Sequence, residues 1–237
     1  MQQSRMTIIH KIILAMSMAF NIKEKFYIIL CTFFTVLIIV GNLIYQKFVY
    51  LNIFNLYILE LSIGAIFYPL TFLLTDLIAE FYGKERSNFC VKLAIIFNII
   101  VVLIISLMDK LEATNWSKVD NITFHKVFGS YYISFLASTF ACYIAQLVDI
   151  NIYLWIRKIT KGKYLWIRNN FSTAISLFLD TVIVIGIMSL FNIFPFDQLR
   201  HLVLNSYSFK LFFTVFSTPI FYLAVWLIRL SIKKFDK

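Results

Sequence analysis

The segment from Pro69 to Lys84 reads PLTFLLTDLIAEFYGK, an apolar run that carries two acids and ends in a glycine and a lysine. Asp76 and Glu80 are four residues apart, so they share one face of a helix. A charged side chain at the bilayer centre costs at least about 2.5–3.5 kcal/mol, and such side chains face a cavity or a partner helix. The segment therefore predicts a transmembrane helix whose acidic face points into a helix bundle.

The composition of the whole chain agrees with an integral membrane protein. Of the 237 residues, 61% are hydrophobic and 14% are charged, and the mean hydropathy is +0.83. Soluble domains are about half apolar and a quarter charged. The net charge of +10 would indicate nucleic acid in a soluble protein, but here it indicates cationic loops kept on the cytoplasmic side. We therefore expect the lipid bilayer, and no nucleic acid, as a partner.

Six apolar stretches are each long enough to cross a bilayer. They lack the strict alternation of polar and apolar residues that a β-barrel requires, so we predict an all-α fold of six transmembrane helices. The predicted spans are Phe26–Tyr45, Tyr57–Phe81, Phe89–Met108, Phe128–Ile156, Phe171–Phe194 and Tyr207–Leu230.

The basic residues alternate between the two sides of these spans. Sixteen of the 22 lysines and arginines lie before the first span, after the second and fourth, and after the sixth, whereas five lie in the other three connections. Cytoplasmic connections carry the excess of basic residues. The sequence therefore predicts a multi-pass protein of the bacterial inner membrane with both termini in the cytoplasm.

This topology divides the chain into three parts. Residues 1–25 form a cytoplasmic or interfacial segment, residues 26–231 the six-helix transmembrane domain, and residues 232–237 a basic cytoplasmic tail. The short apolar run of residues 12–20 also resembles a signal peptide. We favour a lead-in to the first span or an interfacial helix, because the next apolar run already supplies an uncleaved span.

No pattern in the sequence indicates a metal site, a cofactor or a catalytic residue. Cys31, Cys90 and Cys142 are far apart, and the three histidines are equally scattered, so neither a disulfide framework nor a zinc site is predicted. The chain has no HExxH motif, no nucleophile–histidine arrangement and no phosphate-binding loop. We therefore expect a protein that is not an enzyme and binds no cofactor.

The polar side chains inside the later spans are candidates for binding or coupling. Gln146 and Asp149 are three residues apart on one face of the fourth span. Asp180 lies about 18 Å beyond Arg168 along the fifth span, near the midplane, and needs a partner helix, a bound cation or a proton. Lys210 in the sixth span either pairs with a membrane acid or extends its ammonium group to the interface.

Several candidates also have a purely structural interpretation. Glu80 can pair with Lys84 or Arg86 in the connection that follows it. Asn169 or Asn170 can cap the start of the fifth span. Hydrogen bonds or ion pairs between helices would likewise explain the remaining acids and the glutamine without any role in binding.

In combination, these segments resemble the queuosine precursor transporter family, also called the vitamin uptake transporter family. The resemblance runs from about residue 41 to residue 222, and it departs from the family pattern at Ala79 and Leu177, where amide side chains are usual. The loss of two amides would alter the substrate within the class. The matching segments are Gly41–Leu43, Pro69–Lys84, Ala145–Asp149, Trp166–Thr173 with Asp180, and Lys210 with Thr218 and Pro219.

The resemblance implies a six-helix fold similar to the S-components of energy-coupling-factor importers. It also implies import of 7-cyano- or 7-aminomethyl-7-deazaguanine, or of queuine, for salvage into tRNA. Carboxylates accept the adjacent N–H groups of such a base, amides serve its acceptors, and aromatic rings stack on it. The candidate substrate-binding or coupling residues are Asp76, Glu80, Gln146, Asp149, Arg168, Asn169, Asn170 and Asp180, together with Asn42, Thr75, Thr173 and Lys210.

Two other functions stay open on the sequence alone. The chain could be the substrate-binding subunit for another vitamin or base, in which case a separate energising complex is a partner. Paired acids could also serve a membrane-embedded enzyme, because carboxyl groups can act as general acid and base.

Overall fold

The computed structural model describes residues 21–53, 57–129, 132–193 and 196–235, and most of them are helical. The predictions for residues 1–20, including the signal-peptide-like run, lie outside this part of the chain. The helices are α1 (Ile22–Ile44), α2 (Ile63–Met108), the short α3 (Asn121–Phe124), α4 (Tyr132–Ile159), α5 (Leu165–Leu190) and α6 (Leu199–Phe235); β1 (Phe48–Ile53) and β2 (Tyr57–Ser62) lie between α1 and α2.

Local sequence sets the start and the buried face of α1. Asn21 accepts a hydrogen bond from the backbone N–H of Glu24 at 2.9 Å, and the Glu24 carboxylate accepts one from the Asn21 N–H at 3.3 Å. This reciprocal pair is a capping box. Farther along, Leu30, Phe34 and Ile38 recur every four residues and are buried, so one face of α1 packs on the bundle and the opposite face is left for lipid.

Five helical segments among the described residues are long and apolar enough to cross a membrane. Most of the second predicted stretch and all of the third lie within one of them, α2. The five segments are Ile22–Ile44, Ile63–Met108, Asn121–Ile159, Leu165–Leu190 and Phe196–Lys233.

Helix α2 is interrupted at Gly83. Its 46 residues would extend about 69 Å as one straight helix, more than twice the thickness of the hydrocarbon core. Gly83 has φ 77° and ψ −175°, which is not helical and which glycine adopts without a Cβ clash. The Tyr82 hydroxyl donates to the Lys23 carbonyl at 2.6 Å, and the Tyr27 hydroxyl donates to the Arg86 carbonyl at 3.0 Å. Residues on both sides of Gly83 therefore contact the start of α1.

Two strands form a β-hairpin at residues 48–53 and 57–62, and here the structure departs from the all-α prediction. Strands β1 and β2 pair in antiparallel register, so the first part of α2 begins at Ile63 and not at the predicted Tyr57. Side chains alternate along β2, with Leu59 and Leu61 buried and Ile58 and Glu60 exposed. This alternation is short and adjoins a long apolar run. The sequence pattern therefore predicts one continuous span from Tyr57 and does not reveal the strand.

Helices α1 and α2 come close together at two glycines. A Cβ atom on Gly64 would overlap the carbonyl oxygen of Gly41 and would lie 3.0 Å from the Cβ atom of Tyr45. Small residues at such crossings let two helix backbones approach each other inside a membrane. The contact fixes how α1 lies against the first part of α2, next to the hairpin.

We predict that Gly64→Ala lowers the free energy of unfolding by about 1–3 kcal/mol, because the added methyl group overpacks a backbone contact. Thermal unfolding in detergent measures this, with a thiol-reactive dye as reporter, since Cys31, Cys90 and Cys142 are all buried in the folded protein.

Gly186→Ala is the matched control. A Cβ atom there would meet no described atom within 4 Å, and alanine favours a helix over glycine by about 0.5–1 kcal/mol. Equal unfolding temperatures for Gly64→Ala and the unmodified protein would contradict the proposed close contact.

Candidate functional site

The buried polar side chains form three groups along the bundle axis. The first lies beside the β1–β2 hairpin, at what we call the hairpin end. The third lies at the opposite end, which we call the basic end because Arg157, Arg168 and Arg229 meet there. The second group lies between them.

At the hairpin end, an open cavity lies among the hairpin and helices α1, α2, α4, α5 and α6. Small-molecule sites commonly combine apolar walls with a few polar groups. This hairpin-end cavity fits that description, because aliphatic side chains such as Leu37, Ile38 and Ile185 form much of its wall. Its polar lining includes Asn42, Glu60, Tyr68, Ser138, Asp180 and Lys210.

An ion pair forms one polar wall of the cavity. The Lys210 ammonium group donates to Asp180 Oδ2 at 2.9 Å and to the Thr181 hydroxyl at 3.0 Å, while the Tyr68 hydroxyl donates to Asp180 Oδ1 at 2.6 Å. Asp180 is 3% and Lys210 5% exposed, so the alternative that Lys210 extends to the interface is wrong. Lys210 is instead the partner from another helix that Asp180 requires.

Asn42 and Ser138 provide a second polar wall. The Ser138 hydroxyl donates to the Asn42 side-chain carbonyl at 2.8 Å and so links α4 to α1. Sequence reasoning missed both Ser138 and Tyr68. Tyr68 could have been found, because it continues the four-residue spacing of Asp76 and Glu80 by two more turns and so lies on the same row of α2. A lone serine such as Ser138 gives no comparable signal.

The second group begins with Gln146, which is completely buried and tied to α2. Its side-chain carbonyl accepts a hydrogen bond from the Thr75 hydroxyl at 2.7 Å, and its amide nitrogen donates to the Thr71 hydroxyl at 3.3 Å. Gln146 therefore joins α4 to α2 through hydrogen bonds and does not line the hairpin-end cavity.

Asp76 and Asp149 complete the second group, and both have no exposed surface. Their carboxyl groups lie within interaction distance of each other. Among the described residues, no group donates a well-formed hydrogen bond to either carboxyl. The hydroxyls of Ser172 and Ser176 lie near Asp149, but they donate to backbone carbonyls of their own helix, at 3.4 and 2.9 Å.

The third group surrounds Glu80 at the basic end. Arg168 Nη2 lies 2.8 Å from Glu80 Oε2, Arg229 Nη2 lies 3.0 Å from Oε1, and Arg157 Nε lies 3.7 Å from Oε2. The Tyr153 hydroxyl also donates to Oε2, at 3.1 Å. One carboxylate therefore holds α2 against three other helices, and charge-assisted hydrogen bonds of this kind are the strong ones.

Two structural alternatives from the sequence are wrong at this end. Glu80 pairs with these arginines and not with Lys84 or Arg86. Helix α5 begins at Leu165, so neither Asn169 nor Asn170 caps it.

The remaining candidates on α5 lie among buried contacts away from the cavity. The Asn170 amide nitrogen donates to the Thr218 hydroxyl at 2.9 Å and so joins α5 to α6. Asn169 and Thr173 are 2% and 3% exposed. Within the described ranges, no cluster of three or more His, Cys, Asp or Glu side chains is arranged to hold a metal ion.

The structure therefore divides the twelve candidate residues. Three of them line the hairpin-end cavity, and the other nine lie between the cavity and the basic end or at the basic end itself. The cavity-lining candidates are Asn42, Asp180 and Lys210; the others are Thr75, Asp76, Glu80, Gln146, Asp149, Arg168, Asn169, Asn170 and Thr173.

We predict that Asp180→Asn destabilises the protein by about 3–5 kcal/mol, because it leaves the Lys210 charge buried without a partner. The double variant Asp180→Asn with Lys210→Met removes both charges and should recover most of the loss. Thermal unfolding in detergent compares them, with the exposed Asp197→Asn as control. An Asp180→Asn variant as stable as the control would contradict the pairing.

Comparisons with known proteins identify the family of the chain. Residues 62–224 match the family model described as "putative vitamin uptake transporter". The chain is 28% identical over 171 residues to a protein of Bacillus subtilis (strain 168) described as "probable queuosine precursor transporter". The aligned residues make up 72% of this chain and 74% of that relative. No solved structure matches the chain significantly. The family predicted from the sequence is confirmed: this multi-pass membrane protein belongs to the vitamin uptake transporter family.

Proposed function

We propose that the protein imports a queuosine precursor across the bacterial inner membrane, for salvage into tRNA. The substrate is a 7-deazaguanine base, such as the 7-cyano or 7-aminomethyl form, or queuine. The observation that carries this proposal is the hairpin-end cavity, where a carboxylate, an amide and an aromatic ring converge between apolar walls. The description of the Bacillus subtilis relative supports the same class of substrate.

The chemistry of the base matches the polar lining. A deazaguanine presents adjacent N–H donors on its pairing edge, and the Asp180 carboxylate can accept them with the assistance of its charge. The Asn42 amide and the Ser138 hydroxyl offer donors for the base oxygen and ring nitrogen. Tyr68 offers a ring on which the base can stack. Without a base, Asp180 accepts hydrogen bonds from Tyr68 and Lys210, so substrate replaces Tyr68 while Lys210 continues to balance the charge.

Six membrane crossings would determine which side of the membrane this cavity faces. Gly83 lets α2 cross twice, and residues on both sides of it contact the start of α1. At the hairpin end, the Gln46 amide nitrogen donates to the Val127 carbonyl at 2.5 Å. The sequence bias of basic residues supports a cytoplasmic basic end, with residues 1–25 and 232–237 flanking the transmembrane domain of residues 26–231. The cavity then faces outward, as in an S-component.

The candidate residues outside the cavity take a separate part in this proposal. Asp76, Gln146 and Asp149 lie between the cavity and the cytoplasm, and Glu80 with Arg168 lies at the cytoplasmic surface. Closing the outer cavity and opening a path inward requires helices to move at these contacts. We assign the residues below the cavity to gating and coupling, together with Thr75, Asn169, Asn170 and Thr173.

Complementation tests the proposed substrate. The chain is expressed in a bacterium that neither makes nor imports deazaguanines, and each base is supplied at low concentration. For queuine, the host also carries a tRNA-guanine transglycosylase that accepts it. Queuosine in tRNA, measured by its slowed migration in a boronate gel, is expected with at least one base. Absence of modification with every base, despite protein in the membrane, would overturn the substrate or point to an energising partner that the host lacks.

We predict that Tyr68→Ala and Asn42→Ala each raise the base concentration needed for half-maximal uptake. Loss of stacking costs about 1–3 kcal/mol, so the shift for Tyr68→Ala should be about fivefold to a hundredfold. Asn151→Ala is the control, since Asn151 is exposed and donates to the Leu147 carbonyl of its own helix. Uptake by Tyr68→Ala that matches the control at equal protein levels would remove Tyr68 from the site.

Cysteine labelling tests the six crossings. Glu85 and Glu112 are both exposed, and the three native cysteines are buried. A membrane-impermeant maleimide added to intact cells should label Glu112→Cys at once and Glu85→Cys only after the membrane is opened. Immediate labelling of both variants in intact cells would contradict the second crossing by α2, and labelling of Glu85→Cys alone would reverse the proposed orientation.

A further inference from the structure

The buried acids of the bundle are balanced by positive charge except in one place. Glu80 is paired with Arg168 at 2.8 Å, and Asp180 is paired with Lys210 at 2.9 Å. Asp76 and Asp149 are fully buried as well, but among the described residues neither forms an ion pair or receives a well-formed hydrogen bond. A carboxylate in such a position is costly unless something neutralises it.

The two carboxyl groups lie within interaction distance of each other, and both are fully buried. Two ionised carboxylates in contact repel each other strongly, so in a buried pair one of them holds a proton. A single proton placed between the two oxygens turns this repulsion into a short hydrogen bond and removes one of the two charges. The two carboxyl groups therefore suffice, without any further ligand, to form a site that holds one shared proton.

The groups that face the pair from each neighbouring helix are consistent with this reading. On α2, Glu80 is one turn away and adds negative charge, which Arg168 on α5 offsets. On α4, Tyr153 faces Asp76 and donates its hydroxyl to Glu80. From α6, Arg229 reaches Glu80. The three arginines thus make their ion pairs with Glu80, and none of them forms an ion pair with Asp76 or Asp149.

A divalent metal ion suits the pair less well than a proton. Calcium and magnesium ions need six or more oxygen ligands and the space to hold them. Neither Asp76 nor Asp149 lines the hairpin-end cavity, and within the described chain no cluster of three or more His, Cys, Asp or Glu side chains could hold a metal. A proton needs no cavity.

From this we infer that Asp76 and Asp149 share one proton and that its uptake and release couple import to the proton gradient. The coupling part rests on the proposed transport function. The pair is well placed for it, because Asp76 lies about 12 Å along α2 from Tyr68 in the cavity wall and about 6 Å from Glu80 at the basic end. A proton on the pair therefore lies between the substrate site and the cytoplasmic surface, nearer to the latter.

Two serines near the pair can change their hydrogen-bond partners when the proton binds or leaves. With the proton present, the carboxyl groups bond to each other while the hydroxyls of Ser172 and Ser176 donate to backbone carbonyls. When the proton leaves toward the basic end, these hydroxyls can rotate and donate to Asp149, because a hydroxyl rotates freely about its C–O bond. The exchange of partners changes the contact between α4 and α5 as the charge changes.

The proton itself can be observed without any transport. Infrared spectra of the purified protein in lipid, recorded across a pH titration, contain the C=O stretch of protonated carboxylic acids. We expect a band that persists above the pH range of ordinary aspartate, that shifts in frequency in both Asp76→Asn and Asp149→Asn, and that disappears when the two substitutions are combined. Glu112→Gln makes the same chemical change at an exposed loop position and should leave the band intact. Absence of such a band in the unmodified protein would overturn the shared proton.

Proteoliposomes test the coupling. An inward proton gradient should drive accumulation of a labelled deazaguanine, and a protonophore should abolish it. The amide in Asp76→Asn and in Asp149→Asn resembles a protonated carboxyl in shape. Each variant should accumulate at least about tenfold less labelled base than the unmodified protein. Each should still exchange labelled for unlabelled base, because exchange needs no gradient.

The outcomes separate the two proposals. Accumulation driven by a sodium gradient and indifferent to protons would overturn proton coupling and leave the import function standing. Accumulation by both variants at the level of Glu112→Gln would likewise overturn it. Failure of the unmodified protein to exchange any deazaguanine would overturn the proposed substrate, while the infrared experiment would still decide whether the pair holds a proton.

Discussion

The arrangement of the helices depends on the carboxylate of Glu80. It lies 4% exposed at one end of the bundle and contacts arginines from α4, α5 and α6. A buried ion cluster is costly to form, and it is even more costly to break by removing one member. Arg168 is buried with Glu80, whereas Arg157 and Arg229 are partly exposed. A different arrangement of the four helices at this end would leave a buried charge without its partner.

The buried charges lie at different levels along the bundle axis. The ion pair of Asp180 and Lys210 lines a cavity at the hairpin end, whereas Asp76 and Glu80 on α2 lie farther toward the basic end. Between the levels, Gln146 on α4 accepts a hydrogen bond from the Thr75 hydroxyl and donates one to the Thr71 hydroxyl. These bonds join α2 to α4 just below the cavity.

Much of the fold and the identity of the polar candidates were predictable from the sequence, but the partners of those residues were not. Spacing along a helix shows which side chains share a face, and so it correctly grouped Asp76 with Glu80. It does not show which helix packs on that face, and the pairing of Asp180 with Lys210 needed the structure. The β-hairpin was missed for another reason: its alternation extends over six residues per strand and merges with a longer apolar run.

The glycine turn within α2 has a consequence for how the protein enters the membrane. The part of α2 before Gly83 carries two acids, and each charged residue near the centre of a span opposes insertion by about 2.5–3.5 kcal/mol. The part after Gly83 includes a strongly apolar run that ends at Met108. A turn of one residue keeps the two parts adjacent as they leave the translocon. In the six-crossing topology they can therefore partition into lipid together as a helical hairpin, so that the apolar second part assists the insertion of the acidic first part.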